Sequence, residues 1–215
     1  VRQDVVRFNV AGIENENAQD ADGVLNVTTK NTGGILVFDL PGLSQKGMRT
    51  RVFANLVFGN NTPNFAPVGN IVANVPPGTG ILIMANRDVE VFGNFVDDHQ
   101  SVSAAVVSHE VLNLPARVAR DYGGYDPYPD AIRIHDNVMT RSGSQPSGDL
   151  GLFSYLLFKD NGGMPSVIYD GILENDIERN AAAPEDQKLP LLTETPDPAT
   201  ARPWAARRLC SRDTG

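Results

Sequence analysis

Cysteine is almost missing from this chain: Cys210 is the only one in 215 residues. That excludes an internal disulfide framework and any zinc site built from several thiolates. Histidine is nearly as scarce, with only His99, His109 and His135. Cations are outnumbered, 18 Lys+Arg against 26 Asp+Glu, so the net charge is −8 and the pI about 4.8. A nucleic-acid partner is therefore not expected, since no surplus of cations exists to displace condensed counterions. The longest apolar stretches, residues 80–85 and 150–158, fall well short of the roughly 18 residues of a membrane span. Helical periodicity is nearly absent as well, and Val102–Val107 reads as a buried strand. There is no initial Met and no secretory leader, so a trimmed or processed chain is expected.

What the chain does have is self-similarity. Phe8-Asn9-Val10-Ala11-Gly12-Ile13 resembles Lys30-Asn31-Thr32-Gly33-Gly34-Ile35, and a third Gly-Ile start stands at Gly80-Ile81. A second element carries Asn at its centre: Arg51-Val52-Phe53-Ala54-Asn55-Leu56-Val57, Glu90-Val91-Phe92-Gly93-Asn94-Phe95-Val96 and Arg133-Ile134-His135-Asp136-Asn137-Val138-Met139. Val167-Ile168-Tyr169-Asp170-Gly171-Ile172 reads as a degenerate fourth copy with Gly at the Asn position. Each copy is β-prone on both sides of Asn, a residue that tolerates the left-handed region and turns the chain there. A unit of about 22 residues cannot bury its own apolar face, so such units must stack into a solenoid. Asn26, Asn55, Asn94 and Asn137 then occupy equivalent turns and bond one another as an amide ladder, with Asn26 the member expected to fall out of line. Ile13, Ile35, Ile81, Val91 and Ile134 point inward.

These Gly-Ile starts and Asn turns resemble the right-handed parallel β-helix proteins of the pectate-lyase-like architecture. The stretch Asn31-Thr32-Gly33-Gly34-Ile35-Leu36-Val37-Phe38-Asp39-Leu40-Pro41-Gly42 is similar to a group of exported bacterial β-helix-repeat proteins without an established activity. So are Asn60-Asn61-Thr62-Pro63-Asn64-Phe65-Ala66-Pro67, Gly78-Thr79-Gly80-Ile81 and Tyr125-Asp126-Pro127-Tyr128-Pro129. The resemblance implies an all-β chain: a right-handed parallel β-helix of six to eight coils over residues 1–180. It also implies a periplasmic or extracellular location, and it carries no catalytic residues across.

Insertions break the repeat at residues 41–48, 62–77, 110–130 and 142–150, and loops of this kind gather on one face as a binding surface. Outward positions change from Glu14 and Glu16 in the first coil to Leu36, Phe38, Leu82 and Met84 later, which calls for cover by a loop or by the tail, or less often by a partner protein. That tail, residues 181–215, is Pro-rich and holds Trp204, Cys210 and four arginines; it reads as an extended strap or a disordered end.

Chemical motifs are few. Asp20-Ala21-Asp22-Gly23 lacks the other ligands of a calcium loop and reads as a tight turn. His109-Glu110 has Asn113 where a zinc protease needs its second His. Ser108 and His109 are strand neighbours facing opposite ways, and no nucleophile-elbow Gly-x-Ser-x-Gly occurs. Asp97-Asp98-His99 sets two carboxylates beside an imidazole, the raw material of glycoside hydrolysis or of a Ca²⁺ site, or else a solvated turn. The segment 121–130 places Tyr122, Tyr125 and Tyr128 beside Asp126 and Asp130, rings for sugars to stack on and acids to grip hydroxyls. Arg133 and His135 follow on one face of the next strand. The catalytic candidates are thus Asp97, Asp98, Arg133 and His135. The ligand-binding candidates are Tyr122, Tyr125, Asp126, Tyr128 and Asp130. No resident metal is expected. Two functions follow: a non-catalytic scaffold or binding module for a carbohydrate, or a polysaccharide lyase, epimerase or hydrolase working in a groove along the β-helix.

Overall fold

The computed structural model describes residues 1–113, 125–147, 150–151 and 164–172. The tail 181–215, with Cys210, lies outside them, as does Tyr122. Among the described residues the chain is all-β apart from two short 3-10 turns, Ile71–Asn74 and His109–Asn113, and the helical pair Leu150 and Gly151. No helix there is long and apolar enough to cross a membrane.

After β1 (Val5–Val6), the chain makes a first circuit through β2 (Ala11–Glu16), β3 (Asp22–Val24) and β4 (Val27–Thr29). The second circuit is β5 (Gly33–Phe38), β6 (Arg51–Phe53) and β7 (Leu56–Phe58). The third is β8 (Thr79–Met84), β9 (Glu90–Phe92) and β10 (Phe95–His99). The fourth is β11 (Val102–Val107), β12 (Arg133–His135) and β13 (Val138–Ser142), and β14 (Val167–Tyr169) closes the order. Like strands pair in parallel into three sheets: sheet 1 is β2-β5-β8-β11-β14, sheet 2 is β3-β6-β9-β12 and sheet 3 is β1-β4-β7-β10-β13. This circulation is consistent with a β-helix. The described residues make four full circuits; the rest of the six to eight expected over residues 1–180 would fall outside them.

Register follows the repeats read from the sequence. Ile13, Ile35, Ile81 and Ala104 align across sheet 1, and Val52, Val91 and Ile134 across sheet 2. All five residues expected inside are buried, and they form one cluster with Val57, Val96 and Ile83. Gly12, Gly34 and Gly80 stack one above another for a steric reason. A Cβ on Gly12 would run into the Gly34 carbonyl oxygen, on Gly34 into that of Gly80, and on Gly80 into that of Ser103.

The corner between sheets 2 and 3 is two residues long in every circuit: Leu25-Asn26, Ala54-Asn55, Gly93-Asn94 and Asp136-Asn137. The Asn residues do stack, and Asn26 stays in line. Its Nδ2 donates to Asn55 Oδ1 (3.0 Å), Asn55 Nδ2 to Asn94 Oδ1 (2.9 Å) and Asn94 Nδ2 to Asn137 Oδ1 (2.8 Å). The turn itself is not made by Asn. The left-handed residue is the one before it, Leu25 (φ 57°), Ala54 (φ 55°), Gly93 (φ 61°) or Asp136 (φ 52°). That leaves Asn in ordinary backbone geometry, with its amide turned inward along the stack.

A second ladder, at the corner from sheet 3 to sheet 1, is not anticipated by the sequence reading. Asn31 Oδ1 accepts from the Asn9 backbone N–H (3.0 Å), Asn31 Nδ2 donates to Asn60 Oδ1 (2.9 Å), and Asn60 Nδ2 lies 3.2 Å from His99 Nε2. The residues before them, Phe8, Lys30, Gly59 and Asp98, are again left-handed. One reading of the sequence is corrected here. Val167–Tyr169 does not continue the Asn-centred series in sheet 2. It pairs with Ala104–Val106 in sheet 1, where Asp170 Oδ2 accepts from the backbone N–H (2.6 Å) and Oγ (2.8 Å) of Ser108 and so fixes that register.

The insertions at 41–48 and 110–130 leave at the corner from sheet 1 to sheet 2, and those at 62–77 and 142–150 at the corner from sheet 3 to sheet 1. Both corners flank sheet 1, and the loops cover its outer face. Leu36, Phe38 and Met84 are buried there under Val75, Ile71, Val72, Leu112 and Tyr125. The outward apolar row of sheet 1 is thus covered by loops.

Candidate binding site

Among the described residues no such loop covers the outer faces of sheets 2 and 3, and most of the charged candidates lie on them. On sheet 2 the outward rows are Asp22–Arg51–Glu90–Arg133 and Val24–Phe53–Phe92–His135. Arg51 grips Asp22 with two bonds of 2.8 and 2.7 Å, and Arg133 reaches Glu90 at 3.3 Å. The Phe53 and Phe92 rings stack at 4.9 Å and His135 stacks on Phe92 at 5.5 Å. His135 Nδ1 lies 2.8 Å from Asp136 and Nε2 3.1 Å from Glu90, and these carboxylates raise its pKa. A general base must be available unprotonated. Here the neighbours favour the imidazolium, and both ring nitrogens are engaged.

Asp97, Asp98 and His99 point three ways. Asp97 is on the outer face of sheet 3, bonded by Thr140 Oγ1 (2.6 Å) and by the Arg141 guanidinium, which with the Thr140 bond holds its pKa down to about 2. Asp98 is the left-handed turn residue (φ 58°) and is exposed. His99 is fully buried as the last rung of the second ladder, and burial pushes its pKa down to about 4. Glycoside hydrolysis needs one carboxyl raised to act as an acid. Asp97 is shifted the opposite way. Asp20, just before β3, and Asp22, its first residue, are likewise held by Arg49 and Arg51. Among the described residues no group of three or more His, Cys, Asp or Glu could hold a metal ion.

The loop candidates do come together. At the corner from sheet 1 to sheet 2, Asp39, Lys46, Gly47, Ala85, Arg87, Asp126 and Tyr128 line a surface cleft of about 10 Å³, room for one water. Arg87 Nη2 sits 3.6 Å from Asp126 and 3.7 Å from Asp130, bridging the two predicted acids. Asp130 is held in place by a bridge pairing with Arg87 that continues the row Gln19–Met48–Arg87. The Asp39 carboxyl is buried and accepts from the Gly47 N–H (3.0 Å); burial raises its pKa. Tyr125 has a bracing part. Its hydroxyl donates to the Asp39 carbonyl (2.7 Å), its ring lies perpendicular to that of His109 at 5.6 Å, and it packs against the covered wall of sheet 1. Arg133 and His135 lie further along the chain on sheet 2, engaged as described above. Lys46 and Arg87 were missed by the sequence reading, which looked at the Tyr-rich insertion alone. The 41–48 insertion leaves from the same corner one circuit away from β8–β9, which was the available signal.

No family model matches this chain, and neither a curated protein nor a solved structure similar to it was found.

Proposed function

We propose that the chain is a right-handed parallel β-helix of the exported bacterial type, serving as a non-catalytic binding module or scaffold for a carbohydrate. The observation that supports this is a contrast between two kinds of charge. On sheets 2 and 3 acids and bases are paired off along the wall, Asp22 with Arg51, Glu90 with Arg133 and Asp97 with Arg141. At the cleft, Asp126 and Asp130 from one insertion, Lys46 from another and Arg87 from the β8–β9 corner converge beside Tyr128, with ion-pair distances longer than any on the wall. Donors and acceptors gathered at a shallow mouth beside an aromatic edge suit the hydroxyls of a sugar. The cleft is too small to enclose a ring, so a glycan would lie across it.

The test is a glycan array of neutral and uronate polymers read with wild type, Tyr128→Ala and Arg87→Gln. Retention of one glycan class, lost in both variants at unchanged melting temperature, is the expected result. Retention that survives both substitutions places any binding elsewhere, and release of unsaturated products from a uronate polymer would replace this proposal with a lyase.

A further inference from the structure

The outer face of sheet 3 carries an apolar row that no loop among the described residues covers. Val5, Val27, Leu56, Phe95 and Val138 are in register on five adjacent strands. Val5 is 66% exposed, Leu56 47%, Phe95 40% and Val138 55%. At about 4.8 Å per strand the row runs about 19 Å. A monomer rarely shows a contiguous apolar stripe of this kind without a partner.

We propose that this face is the interface of a homodimer, with the two-fold axis along β7. The register and the flanking charges choose this occupant. A two-fold along the middle strand sets Leu56 against Leu56, Val27 against Phe95 and Val5 against Val138, so the large ring meets the smaller side chain. Beside the row, one strand to either side of β7, the exposed left-handed positions are Lys30 after β4 and Asp98 near the end of β10. The same rotation brings Lys30 of each copy opposite Asp98 of the other, two complementary pairs from one symmetry operation. Arg141, which the same rotation sets opposite Phe8 of the other copy, already has its charge matched by Asp97.

Sedimentation velocity of the full chain over a concentration series tests this. Wild type is expected to shift from monomer to dimer. Phe95→Lys, present twice in an isologous interface, is expected to raise the dissociation constant by about a hundredfold, tenfold per copy. Lys30→Glu and Asp98→Lys each raise it about three- to tenfold, and the double variant restores it. The charge variants are exposed and keep the test valid if Phe95→Lys melts early. A wild type monomeric throughout, because a stretch of its own chain or another molecule covers the row, overturns the proposal. So do open-ended assemblies, or a double variant no better than its parents.

Discussion

Replacing Asn55 by Ala probes whether the amide ladder holds the circuits together. The side chain is buried, with four bonds: Oδ1 accepts from the Asn26 backbone N–H (2.9 Å) and Nδ2 (3.0 Å), and Nδ2 donates to Gly23 O (2.8 Å) and Asn94 Oδ1 (2.9 Å). A net bond contributes about 1 kcal/mol, and a buried group left without a partner costs about 1–3 kcal/mol. The Asn26 N–H is left that way, so the expected loss is about 3–5 kcal/mol. That is a large share of the 5–15 kcal/mol typical of a folded domain. Urea unfolding followed by circular dichroism should show a lower midpoint at an unchanged slope. Asn55→Asp adds a sign test. Its buried carboxyl is pushed above its unfolded pKa, so its folded state prefers the proton, and the variant loses stability as pH rises through the unfolded value of about 4. A loss under about 1 kcal/mol for Asn55→Ala, or an Asp variant indifferent to pH, would refute the ladder as a source of stability.

Two further perturbations use the titrating groups. His99 has a folded pKa of about 4, below its unfolded value, so its contribution is complete above about 6.5 and is lost as pH falls toward 4. His99→Asn keeps an amide for Asn60 and is expected to gain on wild type between pH 6.5 and 4; the comparison of variants removes the opposing effect of Asp170, whose carboxyl burial pushes up to about 6. Equal pH slopes for both proteins would mean that His99 is hydrated in solution. Asp97, held at about 2, contributes stability above its unfolded value of about 4 that is lost as pH falls toward 2. Arg141→Gln should flatten that acid limb in melting curves, and an unchanged limb would show the pair to be screened.

The sequence told most where the spacing of like residues survived. Gly12, Gly34 and Gly80 lie in register because the carbonyl of the next circuit leaves no room for a Cβ, and no other residue substitutes for that. Asn26, Asn55, Asn94 and Asn137 were legible since β-prone residues flank three of them on both sides. The second ladder is hidden, although Phe8-Asn9 and Lys30-Asn31 are alike. Its rungs are separated by 22, 29 and 39 residues, and its last rung is a histidine, which takes the place of an amide only once it is buried and neutral. β14 was misassigned for a related reason. Val167-Ile168-Tyr169-Asp170 has the local composition of sheet 2, and only the distant Ser108 decides that it pairs in sheet 1. At the site, Asp126, Tyr128 and Asp130 were readable from one insertion, whereas Lys46 and Arg87 enter through neighbouring circuits, a proximity that the linear chain does not express.

The ladder corners also bear on how the molecule yields to force. All contacts between circuits run along one direction, so tension applied from end to end loads the rungs in series, and circuits peel off one at a time. The rungs joining Asp4, Asn26, Asn55, Asn94 and Asn137 are separated by 22, 29, 39 and 43 residues. Each rupture therefore frees a different length of chain, from about 75 Å for the first interval to about 145 Å for the last. In a pulling trace the growing insertions would be written as widening steps, so that the order of rupture can be read from the step lengths alone.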